Sequence, residues 1–168
     1  MILAFITCHS LLHAQEPIPV FYVLEKPLTI GSVDKSDRIT IELDKDKLVR
    51  TMNDYMPGKM PFDSVYIDKI DLDEKRFYVM VFKTKLSNRT LVRWLSLKGT
   101  SLIIEDTRDE AYTLLNKYIM SEGEQSCYPR LRKMNGRYGW NCRDVDGCVS
   151  EAYAKEHPCA CSNTLIVQ

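Results

Sequence analysis

Five of the six cysteines fall in one late stretch, at Cys127, Cys142, Cys148, Cys159 and Cys161, spaced C-x14-C-x5-C-x10-C-x-C. Thiols so concentrated can do three kinds of chemistry: close disulfides, cage a metal or act as nucleophiles. Glycines at 136, 139 and 147 interrupt any periodicity there, and apolar residues are few. Such a segment buries little surface by itself, so covalent ties would hold it to the rest of the chain. Each closed loop would contribute roughly 2–4 kcal/mol by restricting the unfolded state. An odd number of thiols leaves one without a partner. Cys159 and Cys161 lie too close in sequence to favour each other, and each is expected to reach back to Cys127, Cys142 or Cys148.

A metal site would draw on Cys142, Cys148, His157, Cys159 and Cys161, because zinc favours thiolate and imidazole in a tetrahedral set. The usual C-x2-C knuckles are absent, so zinc ranks as the alternative to disulfides. "CRDVDGC" lacks the oxygen ligands that a calcium loop needs at its first and last positions and reads as an Asp-Gly turn. The motifs of nucleophilic and metal-assisted hydrolysis, G-x-S-x-G and H-E-x-x-H, do not occur, and neither does a phosphate-cradling glycine loop. No cofactor is implied. His157 stands before Pro158 at the end of "SEAYAKEH", where an imidazole can interact with the last carbonyls of a short helix. A hydrolase would need carboxylates or thiols that meet only in the fold, and it is the second alternative.

Charge marks the same region. From Cys127 to Arg143 there are five basic residues, Arg130, Arg132, Lys133, Arg137 and Arg143, and no acid. Tyr128, Tyr138 and Trp140 are interleaved with them. Arginine beside exposed aromatic rings is the composition of binding hot spots, suited to a protein or an anionic glycan. The whole chain carries 23 basic and 23 acidic residues, so no global field draws it to nucleic acid. The other reading of the stretch is a solubilising face whose aromatic residues pack over disulfides.

The elements that would position this segment are legible upstream. Residues 1–14 carry no charged side chain and end at Ala14, which reads as a secretory signal, and oxidised cysteines then become the expectation in a secreted or periplasmic protein. No stretch approaches the length of a membrane span. Residues 15–122 form the expected body and 123–168 a cysteine-rich extension. "RITIEL" alternates Ile39, Ile41 and Leu43 against Arg38, Thr40 and Glu42, a half-buried strand. Leu48, Val49, Met52, Tyr55 and Met56 recur at helical spacing after Asp44 as N-cap, with Pro57-Gly58 as the stop. "SVYIDKIDL" and "RFYVMVFKTKL" flank a charged turn, and the second is apolar on both faces, as a covered central strand should be. "TLVRWLSL" and "SLIIED" flank Lys98-Gly99 as a hairpin. In "TRDEAYTLLNKYIM", Thr107 and Glu110 form a capping box ahead of an apolar stripe from Ala111 to Ile119, which predicts a second amphipathic helix. Asn88-Arg89-Thr90 is a glycosylation sequon.

The expectation is therefore an α+β fold: a mainly antiparallel sheet, two amphipathic helices and a disulfide-braced C-terminal segment. The expected function is that of an exported binding or structural module without catalytic chemistry.

Overall fold

A computed structural model describes residues 27–55, 61–85, 89–122, 129–141 and 160–164. In chain order the elements are β1 (Leu28–Val33), β2 (Ile39–Ile41), α1 (Lys45–Tyr55), β3 (Ser64–Leu72), β4 (Lys75–Lys83), β5 (Thr90–Lys98), β6 (Ser101–Ile104), a 3-10 turn (Thr113–Leu115), β7 (Tyr118–Glu122), β8 (Arg130–Met134), β9 (Arg137–Asn141) and β10 (Ala160–Thr164). Every strand pairing is antiparallel, so the fold is mainly antiparallel sheet with one α-helix among the described residues.

The hairpins follow from their turns. Asp73 and Glu74 both take positive φ, 51° and 61°, which matches the right-handed twist of the two nine-residue strands β3 and β4. Asn135-Gly136 does the same between β8 and β9, at φ 51° and 80°. β4 is buried on both faces: Tyr78, Met80 and Phe82 look into the main core, while Phe77, Val79 and Val81 look the other way. The all-apolar pattern of this strand is thereby accounted for. α1 closes the main core with Leu48 and Met52, and Asp44 caps it by accepting the Lys47 N–H at 2.9 Å. Asn53 fastens its far end to the chain leading into β3, exchanging two hydrogen bonds with the Phe62 backbone. The stop at Pro57-Gly58 lies outside the described residues.

β5 is the hinge of the topology. One of its edges pairs with β4; the other is shared, with β7 along Thr90–Val92 and β6 along Ser96–Lys98. From β6 the sheet continues to β1 and β2, and from β7 to β10. Between the two partners the sheet forks. Arg93, on the same strand face as Leu91 and Leu95, lies at this fork with 2% of its side chain exposed. Its guanidinium donates to the carbonyls of Leu115 and Glu105 and to Asp106 Oδ1 at 2.9 Å, and stands 5.7 Å from the Tyr118 ring. Burial lowers the Arg93 pKa, and burial raises that of Tyr118.

The second predicted helix does not form. Residues 105–117 make a loop containing the 3-10 turn, and Tyr118–Glu122 is strand. The capping box is replaced by local bonds of another kind: Thr107 Oγ1 accepts the Asp109 N–H, and Asp109 Oδ1 accepts the Ala111 N–H. These short-range side-chain bonds offer the backbone an alternative to a helix. The Asn116 amide then closes the neck of the loop with two bonds to the Thr107 backbone. Tyr118 and Ile119 pack into different clusters, as consecutive strand residues do, and β7 gains the ladder bonds to β5 that a helix would forgo.

Candidate functional site

The basic-aromatic segment is built as the β8–β9 hairpin, a two-stranded unit seated on the outward-looking side of the main sheet. Its pairing register, Leu131 opposite Trp140 and Lys133 opposite Tyr138, sorts the segment into two faces. The rings turn inward. Tyr138, 2% exposed, joins Phe77, Leu115 and Leu131 in a buried cluster, with Trp140 half-buried beside it. Tyr138 is thus a core residue, a correction to its expected place on an exposed binding surface. Its N–H donates to the Ala111 carbonyl at 2.7 Å, fastening the hairpin to the 105–117 loop.

A run of aromatic rings continues the contact. Tyr138 stacks on Tyr112 at 5.2 Å, and Tyr112 stacks on Trp94 at 5.7 Å, with planes 18° and 12° apart. Phe77 meets Tyr138 tilted at 4.8 Å. The Lys75 ammonium donates to the Tyr112 hydroxyl at 2.8 Å and stands 5.4 Å from both tyrosine rings. That hydrogen bond, with the tyrosine charges, raises the Lys75 pKa. Lys133 reaches over the Tyr138 ring at 5.5 Å and pairs with Asp73 at 3.4 Å. It serves the docking of the hairpin.

The opposite face carries Arg130, Arg132 and Arg137, by the alternation of the same register. Arg132 and Arg137 are exposed, and Arg137 makes a long ion pair of 3.5 Å with Glu110, itself 88% exposed. Gly139, opposite Arg132, is buried under Leu114 and Met134: a Cβ there would already touch both at 3.4 Å. Leu114 and Met134 are both large apolar side chains left exposed, at 42% and 45%. The helical spacing places Leu114 on a buried stripe and nothing singles out Met134, because their juxtaposition depends on the loop that replaces the helix.

Arg143, His157, Cys127, Cys142, Cys148 and Cys159 lie outside the described residues. Cys161 stands in β10 at the register position opposite Ser121 of β7. Among the described residues no three His, Cys, Asp or Glu side chains converge as metal ligands would, and no helix is long and apolar enough to cross a membrane. The Asn88 sequon likewise begins outside the described residues. A second charged group ties the sheet corner together: Asp37 Oδ2 accepts from Lys69 and Arg76 at 2.8 Å each, and Arg76 also pairs with Asp71. Hydrogen bonds from Lys69 and Arg76 hold the Asp37 and Asp71 carboxyls, respectively, below their usual range.

No protein-family model, curated protein or solved structure matches this chain.

Proposed function

We propose that this protein is an exported, disulfide-braced binding module, without catalytic chemistry, that presents the arginine face of the β8–β9 hairpin to an acidic segment of another protein. One observation carries the choice of partner: Arg132 and Arg137 share a face with the exposed Leu114 and Met134, which meet over the buried Gly139. Arginine beside exposed apolar side chains, methionine among them, is the composition of protein interfaces, whereas an anionic glycan has no need of the apolar pair. The stacked rings beneath make the hairpin a rigid platform, so little ordering entropy would be lost on binding. Export and disulfide bracing rest on the uncharged leader and the clustered cysteines of the sequence.

A displayed library of acidic peptides tests the partner. The wild-type protein should enrich sequences that combine Asp or Glu with an apolar residue, and an Arg132→Glu/Arg137→Glu variant should lose that enrichment. Equal enrichment by both proteins, or by neither, refutes the proposed surface. Retention on a sulfated-glycan column that only the wild type shows would transfer the surface to a glycan. Mass spectrometry of the unreduced protein tests the bracing: alkylation should fall short of the thiol count by two for every disulfide. Complete alkylation of freshly purified protein refutes it, and stoichiometric zinc in the same material would establish the metal alternative.

A further inference from the structure

Four methionines lie among the described residues, and three of them are shielded. Met52 and Met80 are 0% exposed. Met120 is partly buried against the main core, and its Sδ accepts the Arg89 Nε–H at 3.1 Å. A sulfur lone pair held in a hydrogen bond is less available to an electrophile. Met134 differs from all three: it closes β8, is 45% exposed, and shows no hydrogen bond at its sulfur. Its terminal methyl lies 3.4 Å from the point where a Cβ on Gly139 would stand, beside Leu114.

The strand register sets an arginine against this thioether. Met134 pairs with Arg137 across the Asn135-Gly136 turn, and Cα atoms in such a pair stand about 5.5 Å apart. The two side chains rise from one face. Arg137 is paired with Glu110 at 3.5 Å, between side chains 50% and 88% exposed. An ion pair so long and so open to water is readily exchanged for a better-placed acceptor. A thioether is a weak acceptor, whereas a sulfoxide is strongly polar.

We infer that Met134 is a peroxide-sensitive modification site whose sulfoxide oxygen takes the Arg137 guanidinium from Glu110. In the step, a sulfur lone pair attacks one peroxide oxygen, the S–O bond forms and the O–O bond breaks. The leaving hydroxide takes the proton of the transferred oxygen and departs as water. Sulfur is oxidised by two electrons and the peroxide is reduced. The product is reversible by methionine sulfoxide reductases, so the site can work as a switch. Its consequence for binding rests on the surface proposed above: oxidation makes the apolar pair with Leu114 polar and occupies one arginine, which releases an acidic segment. The modification and its contact with Arg137 do not depend on that surface.

Limited hydrogen peroxide treatment of the native full chain, followed by peptide mapping, tests the site. Met134 should form sulfoxide about tenfold faster than Met52, Met80 and Met120. An equal or faster rate at any of those three overturns the inference. Nuclear magnetic resonance of the Arg137 Nε–H tests the contact: on oxidation its signal should shift and its exchange with water should slow about threefold. Peroxide should leave that signal unchanged in a Met134→Leu protein. A signal that stays fixed in the wild type, or that moves equally in both proteins, overturns the inference as well. An acidic peptide enriched by the reduced protein should bind about fivefold more weakly after oxidation, and unchanged binding overturns the switch. A reduced protein that enriches no acidic peptide refutes the proposed surface alone, because the sulfoxide map and the Arg137 signal still decide the inference.

Discussion

Replacing Arg93 with methionine should destabilise the protein by about 2–4 kcal/mol and loosen the 105–117 loop. The guanidinium makes two charge-assisted bonds to backbone carbonyls, of Leu115 and Glu105. Each is worth about 1.5–3 kcal/mol, and both carbonyls lose that partner once the side chain is gone. The ion pair with Asp106 adds less than about 1 kcal/mol, because that carboxylate is 46% exposed and screened. Methionine fills similar volume and removes two unfavourable features, a desolvated cation and an Nε–H without a partner. That relief returns about 1–3 kcal/mol. Urea denaturation measures the net loss, and hydrogen exchange at the Tyr112, Thr113 and Leu115 amides locates it. Asp106→Asn, by contrast, should cost under about 1 kcal/mol. An Arg93→Met protein within about 0.5 kcal/mol of wild type, with unchanged exchange in the loop, would refute the assignment of Arg93 as the tie across the fork.

Gly31→Ala should cost about 3 kcal/mol by denaturation, since its Cβ would stand 2.2 Å from the Thr40 carbonyl oxygen on the paired strand. Tyr138→Ala should cost about 3–5 kcal/mol, with accelerated amide exchange confined to β8, β9 and the 105–117 loop, whereas Tyr138→Phe keeps the stack and most of the stability. Asp37 and Asp71 titrate below their unfolded value near 3.8, so their stabilisation is present above that value and is lost as pH falls through the depressed folded values. An acid titration followed by circular dichroism should show this loss below about pH 4, and Asp37→Asn/Asp71→Asn should flatten it.

The parts legible in the sequence are those where a local pattern and its tertiary use agree. The double-faced β4, the capped α1 and the hairpins around Asp73-Glu74 and Gly99 are of this kind. The 105–117 region misled because its apolar spacing suits two structures. Ala111, Leu114, Leu115, Tyr118 and Ile119 make a helical stripe on paper, yet Leu114 is exposed and the last two serve opposite faces of a strand whose partner β5 is remote in sequence. The cue lay in "TLVRWLSL", where alternation sets Arg93 among Leu91 and Leu95. A cation on a core face demands carbonyl acceptors from elsewhere, and the loop supplies them. For the hairpin, composition revealed the cations and rings but not their sorting, which needs the register.

The pairing of β10 with the outer edge of β7 bears on how the chain is made. β10 comes from beyond the hairpin and residues 142–159, so a nascent or partly folded molecule carries β7 with bare amides and carbonyls for some time. An identical strand from a neighbouring molecule would satisfy that border equally well. Refolding at high concentration should therefore favour exchanged dimers, and dilution should favour the self-closed form.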